Sequence, residues 1–501
     1  MEQSVVHKKT IKRPLVLASI MLAMFLAAIE ATIVSTAMPS IVADLGGFSL
    51  YSWVFSAYLL TNAATVLIFG KLSDIFGRKP IFLFGISVFL IGSTLSGFAA
   101  SMEMLIFTRL IQGLGAGALM PIATTIVGDI YTKEERANIQ GYLSSVWGIS
   151  AVTGPALGGF FVDVLSWPYV FWMNIPLGLL AMAGIILFFH EELDKTDRKI
   201  DYGGALYMFI AVSALMLILV EGGVRIAWDS QLMLVLASLS SIGFVLFFSQ
   251  EKRVSAPMMP FEIWKHRSIS IANITSLTTG MILIGVSSYL PAFVQGVMEK
   301  PAIVAGFTLT TMSIGWPISS ALAGRLLLRI GFRSTSLIGG ISLIIGGIFF
   351  FMLSPEKGPV WAATGSFFIG VGMGLSTTSF IVSIQSTVDW KTRGIATASN
   401  MFMRSLGSAV GAALLGGMLN SRIQTAIAQA DLGKELTVDS TNLLLDAEKR
   451  ESLSPGALEV LQEALTSGLH LVYIGILVLA IISLLLISLL PKGDKSNVTK
   501  K

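Results

Sequence analysis

The chain has no cysteine, which excludes disulfides, thiolate metal sites and cysteine nucleophiles. Charge is nearly as scarce. Only 13% of its 501 residues are charged, against roughly 25% in soluble domains, so most of the surface has to face something other than water. A net charge of +4 over this length makes no dense basic face and argues against a nucleic-acid partner. Histidine is limited to His7, His190, His266 and His470, all at the ends of apolar runs or in tails. No metal-spaced cluster, nucleophile elbow or phosphate-binding loop is present, which argues against an enzyme.

What the chain has in quantity is apolar sequence: 54% hydrophobic residues and a mean hydropathy of +0.78. A bilayer core needs about 20 consecutive apolar residues per helix. Fourteen such runs are legible, near 15–37, 52–71, 81–99, 104–128, 139–162, 168–189, 203–221, 232–250, 269–294, 303–325, 335–353, 361–386, 394–419 and 470–490. They lack the inside/outside alternation of a transmembrane barrel. The first run holds Glu30 and is too long for a cleaved signal peptide.

Orientation follows the basic residues. With the N-terminus inside, 25 of the 34 Lys and Arg fall in inner segments, seven fall outside, and Arg109 and Arg404 lie within spans. Both termini are therefore expected in the cytoplasm. The one long connection, 421–469, is outside and holds eight acids against four bases. It is expected to be a solvated cap whose last part, with Leu458, Leu461 and Leu465 on one face, extends the fourteenth helix outward. Trp53 and Trp167, near span ends, read as interfacial anchors.

Two loops echo one another. After the second run the chain reads GKLSDIFGRKP, with Gly70, Asp74, Gly77, Arg78 and Lys79; after the tenth it reads GRLLLRIGFRS, with Gly324 and Gly331 again seven apart. Leu328 stands where the acid would be. Such weak symmetry is expected of a transporter built from related halves. Glycine permits a tight turn, the acid can meet arginines or helix N-termini, and the basic pair suits an anionic leaflet. Asp129 and Arg136 flank the next inner loop and complete a candidate inner latch.

Three spans carry further signals. The fourth reads RLIQGLGAGALMP, placing Arg109 and Gln112 inside an apolar helix, where an arginine requires a partner or a wet cavity. The fifth reads GISAVTGPALGG, with Gly154, Pro155, Gly158 and Gly159: small residues at i, i+4 for close helix packing beside a proline that interrupts the backbone ladder. The first reads IEATIVSTAMPSI. Of the 30 acids only Glu30 sits deep in a span, and an ionisable group at that depth is a functional candidate by default.

These strings resemble the major facilitator superfamily. GKLSDIFGRKP is similar to its signature loop between helices 2 and 3, and GPALGG in the fifth helix is similar to its antiporter motif. Glu30, Thr32 and Ala37-Met38-Pro39 resemble the helix-1 motif of its fourteen-span drug:proton antiporters, in which the acid is more often Asp. Glu is one methylene longer, which alters the geometry and not the chemistry.

The resemblance implies an all-α integral membrane protein of two six-helix bundles with two extra helices between them. The expected division is 1–190 for the first bundle, 191–268 for the extra pair, 269–490 for the second bundle and 491–501 for a tail. It also implies a monomeric, multi-pass protein of the bacterial cytoplasmic membrane, needing no cofactor beyond a proton gradient. Its partners would be protons, membrane lipids and lipophilic, often cationic, small molecules exported from the cytoplasm. Glu30 and Arg109 would couple proton to substrate. Candidate cavity walls are Tyr58, Asn62, Gln112, Trp147, Tyr289, Trp316, Phe380 and Gln385, since apolar pockets with a few polar groups suit varied ligands. A dedicated exporter of one metabolite, siderophore, lipid or antibiotic would share every motif. A nutrient symporter would not be expected to carry GPALGG, and a membrane enzyme or receptor is the remaining alternative.

Overall fold

The computed structural model describes residues 12–131, 133–191, 202–222, 225–254, 261–388, 393–430 and 436–491. Among them the long elements are all α-helices: α1 Arg13–Leu45, α2 Tyr51–Phe76, α3 Arg78–Gly97, α4 Met102–Ile130, α5 Lys133–Phe160, α6 Asn174–Phe188, α7 Tyr202–Glu221, α8 Gln231–Arg253 and α9 Arg267–Gly296. Ala302–Phe351 is one continuous element bent at Gly331, and its two arms are α10 and α11. α12 Gly358–Thr387, α13 Arg393–Gln429 and α14 Pro455–Ser488 complete the set. Thirteen elements are long and apolar enough to cross a membrane, and the break at Gly331 makes fourteen crossings. Helices are the outcome because lipid offers no hydrogen-bond partners, so each span must satisfy its own backbone.

The echo between the two glycine-bearing loops extends to the backbone. Gly77 (φ 96°, ψ 153°) separates α2 from α3, and Gly331 (φ 80°, ψ 173°) separates α10 from α11. Both occupy a region that is essentially open only to glycine. The basic residues that follow also play parallel parts. Lys79 Nζ donates to the carbonyls of Ile186 (2.9 Å) and Phe189 (2.6 Å) at the end of α6. Arg333 Nη2 donates to Ser488 O (2.7 Å) at the end of α14. In each half a cation caps the free carbonyls of the last helix, where the helix dipole favours positive charge.

α1–α6 pack on one another as one bundle and α9–α14 as a second. The extra helix α7 lies against α8 and against both α2 and α13, so the added pair flanks the seam between the bundles. The face where α1 begins and α14 ends is termed the near face, and the opposite one the far face.

At the far face the bundles are closed. Gln295 Nε2 donates to Thr36 O (3.1 Å), Tyr51 Oη to Ser288 O (2.6 Å) and Asn420 Nδ2 to Ser49 O (2.6 Å). Tyr51 stacks on Tyr289 with ring centroids 5.8 Å apart. Asp163 Oδ2 accepts from Ile303 N (3.0 Å), joining the end of α5 to the start of α10.

The far-face connection is not the solvated cap that its charge suggests. Val438, Thr441, Leu444 and Leu445 are buried, and the segment straps both halves. Asp439 Oδ1 accepts from Ser49 N (2.9 Å), Lys449 Nζ donates to Ala43 O, and Arg450 pairs with Glu299 (3.1 Å). Leu444 and Leu445 join the apolar cluster at the helix ends, while Asp439 and Asp446 accept from backbone N–H groups. α14 does extend outward, with Leu461 and Leu465 buried. Trp53 and Trp167 are also tied down rather than left as interfacial anchors. Trp53 Nε1 donates to Glu221 Oε1 (2.6 Å) and Trp167 Nε1 to Asp44 Oδ2 (2.8 Å).

Candidate functional site

Glu30 lies in the middle of α1 and is 0% exposed, and Arg109 of α4 is 1% exposed. The two form an ion pair through Arg109 Nη1 and Glu30 Oε1. Moving either charge out of water is costly unless the pair is held and its remaining atoms are satisfied. Here they are. Asn174 Nδ2 of α6 donates to Glu30 Oε2 (2.9 Å) and lies 2.9 Å from Ser93 Oγ of α3. Arg109 Nη1 also donates to Gln112 Oε1 (2.6 Å), one turn along α4. The guanidinium rests 4.2 Å from the Tyr58 ring centroid, with Phe171 at 5.9 Å. Four helices of one bundle, α1, α3, α4 and α6, therefore meet in a single buried polar cluster, with α2 supplying its aromatic floor.

The helix-5 motif is what holds α1 in place. A Cβ on Gly154 would meet Thr32 Oγ1 at 2.0 Å, and one on Gly158 would meet Ile33 O at 2.8 Å. The next pair around the helix faces the other bundle. A Cβ on Gly159 would meet Ile303 Cα at 2.5 Å, and one on Gly306 would meet Pro155 O at 2.3 Å. GPALGG thus presents two small faces, one to the helix that carries Glu30 and one to α10 across the seam.

At the near face, Arg78 Nε donates to Asp129 Oδ2 (2.9 Å) and Arg78 Nη1 to Ser73 O (3.0 Å). Glu191 accepts from the backbone N–H of Arg78 (2.8 Å) and of Lys79 (2.9 Å), capping the start of α3. Gly70 has open space where a Cβ would stand. The side chains of Asp74 and Arg136 lie outside the described ones.

The eight candidate wall residues separate. Tyr58 and Gln112 belong to the Glu30–Arg109 cluster, and half-buried Asn62 lies one turn beyond Tyr58 on α2. Tyr289 is part of the far-face closure, its Oη donating to Ala412 O (2.9 Å). Phe380 is packed among Ile269, Ile384, Ala396 and Ile487, away from the ion pair. Gln385 is exposed close to the near-face end of α12, with Nε2 3.4 Å from Thr397 Oγ1. Trp147 is 46% exposed. Trp316 faces Arg404.

Sequence reading missed Asn174, Ser93 and Glu191. A lone amide in the apolar run WMNIPLG was a usable signal for the first. Nothing local marks the other two. Among the described residues no group of His, Cys, Asp and Glu stands close enough to hold a metal.

Residues 20–412 match the profile of the Major Facilitator Superfamily. The chain is 33% identical over 497 residues to "Multidrug resistance protein 3" of Bacillus subtilis, covering 97% of each chain. It is 34% identical to "Multidrug transporter protein MdtP" of the same organism, covering 83% of this chain and 76% of that one. Its fold resembles the crystal structure of a bacterial homologue of the human lysosomal transporter Spinster, in an inward-facing and unoccupied conformation. There the TM-score is 0.66 at 15% identity, covering 95% of this chain and 97% of that one. Fourteen crossings, two related bundles and a match over most of the length identify the chain as a multi-pass membrane transporter, not an enzyme, belonging to the Major Facilitator Superfamily.

Proposed function

We propose that this chain is a proton-coupled antiporter that exports lipophilic compounds by alternating access, with Glu30 as the proton carrier and Arg109 as its counter-charge. The observation that carries this reading is the Glu30–Arg109–Asn174 cluster. It contains the one acid deep within the spans, fully enclosed and held by a single cation. The relatives named for multidrug resistance and multidrug transport support the efflux direction.

In this reading the near face is cytoplasmic, as the basic residues require, and both termini lie there. The closed far face is then the outer one, as expected of an inward-facing state. Bundles 1–190 and 269–490 rock about the seam, with 191–268 beside it and the 421–469 strap released on opening. In the inward state Glu30 is an ion-paired carboxylate. Substrate binds while Glu30 is deprotonated. After the switch a proton arriving from the outside adds to a Glu30 oxygen, releases Arg109 from it and displaces the substrate outward. The guanidinium stays solvated by Gln112, Val54 O and the Tyr58 face. Neutral Glu30 no longer ties α1 to α4 by charge, and the relaxed bundle returns inward, where the proton leaves. The transporter works as a monomer with no cofactor other than the gradient.

The direct test is dye accumulation by inside-out vesicles containing the protein under an imposed pH gradient. Accumulation that collapses with a protonophore is expected. Accumulation indifferent to the gradient would remove the coupling reading.

A further inference from the structure

Glu30 is neutralised where it lies, but the second arginine within the spans is not. Arg404 of α13 is half-buried and faces Trp316 of α10, its guanidinium carbon 5.9 Å from the indole centroid. Trp316 stands fifteen residues from both Pro301 and Gly331, the limits of α10, so the guanidinium sits halfway along that helix. α10 and α13 are not extensively packed on one another. The two side chains therefore reach towards one another across the space between the helices.

Among the described residues no carboxylate or carbonyl accepts a hydrogen bond from Arg404. None is available nearby either. α9, α10, α11, α12 and α13 contain no Asp or Glu at all, and Glu30 is already engaged by Arg109 and Asn174. The second bundle thus carries an uncompensated positive charge at depth.

As a rule, an ionisable side chain at membrane depth faces the bundle interior or a water-filled cavity and marks what passes along it. A guanidinium against an aromatic face keeps its planar fork of N–H donors free. That fork matches an oxyanion in two-point geometry.

We propose that Arg404 and Trp316 form an anion-recognition subsite of the transport path, and that the preferred cargo is a lipophilic acid: an apolar, preferably aromatic body bearing a carboxylate. The indole takes the body and the fork takes the carboxylate. A purely cationic compound would meet like charge there, contrary to what the resemblance to drug:proton antiporters suggests. The inference rests on the export reading for its direction but not for its chemistry.

The test uses the full-length protein in phosphatidylcholine liposomes and three coumarin probes sharing one body, bearing a carboxylate, its methyl ester or a trimethylammonium group. Binding is measured at equal pH on both sides, so it does not depend on coupling. Wild type is expected to bind the carboxylate best and the ammonium worst. Arg404→Gln is expected to lower the carboxylate-to-ester ratio about tenfold, the scale of one charge-assisted hydrogen bond. Arg404→Lys, which keeps the charge and loses the fork, is expected to fall between. It also provides the answer if the glutamine variant does not fold, since a ratio in it equal to wild type contradicts the role of the fork. No carboxylate preference in wild type, or one that Arg404→Gln leaves in place, overturns the proposal. So does displacement of the probe by added phosphatidylglycerol, which would assign the subsite to a lipid headgroup. If the binding ratios follow expectation but no pH gradient drives the carboxylate probe, the export reading fails and the subsite stands.

Discussion

At the scale of single residues, the central feature is a charge pair sealed from water. Removing one partner of such a pair leaves the other buried alone, which costs about 3–5 kcal/mol. Arg109→Gln is therefore expected to lower the thermal midpoint in detergent sharply. The double variant Glu30→Gln/Arg109→Gln is expected to recover most of the loss, because two neutral amides leave no stranded charge. A double variant as unstable as Arg109→Gln would mean that the pair is not energetically coupled. Much of this cluster was legible in the sequence. Charge is so scarce that a lone deep acid and a lone helix-4 arginine stand out, and their partnership could be suspected. What was not legible was closure, since which amides complete the pair depends on how α3 and α6 lie against α1. Asn174 and Ser93 are ordinary residues until that packing places them.

At the scale of elements, small residues decide how the helices approach. Gly154 and Gly158 meet α1, and Gly159 meets α10. Gly158→Leu is expected to push α1 away from α5 and to destabilise the bundle that carries Glu30. Gly159→Leu is expected to act differently, leaving that bundle folded while weakening far-face closure. A cysteine pair at the far face would report this as slower cross-linking. If both variants behave alike, the two faces of the motif are not separate. Gly77 and Gly331 offer a second test at this scale. Each holds a conformation barred to other residues, so Gly77→Ala and Gly331→Ala are each expected to cost on the order of 1–3 kcal/mol of stability. A neutral effect at either would break the parallel between the loops. The glycine spacing made the echo visible in the sequence. Its content, a cation from each loop capping the last helix of its own bundle, needed coordinates, because residues more than a hundred positions apart meet there.

At the scale of the whole molecule, the halves are joined at the far face by direct contacts and by the strap across them. The span count, the bundle plan and the place of α7 and α8 between the bundles in the chain follow from hydropathy and from resemblance, since each span must satisfy its own backbone in lipid; that they flank the seam does not. The strap was misread from its charge, because eight acids conceal the few apolar side chains that bury. The chain has no cysteine, so introduced pairs can be read without background. Asp163→Cys with Ile303→Cys is expected to cross-link and to halt transport, with recovery on reduction. Transport that continues in the cross-linked protein would show that the far face need not open.

The proton-coupled transport reading turns on Glu30 carrying the proton, and proton release measured on substrate addition tests it most directly. In detergent, with a pH dye and at a pH where the protonated form of Glu30 is populated, wild type is expected to release protons as a transported substrate draws the protein to the carboxylate form. Glu30→Gln is expected to release none while still binding that substrate. Undiminished proton release from Glu30→Gln would contradict the account.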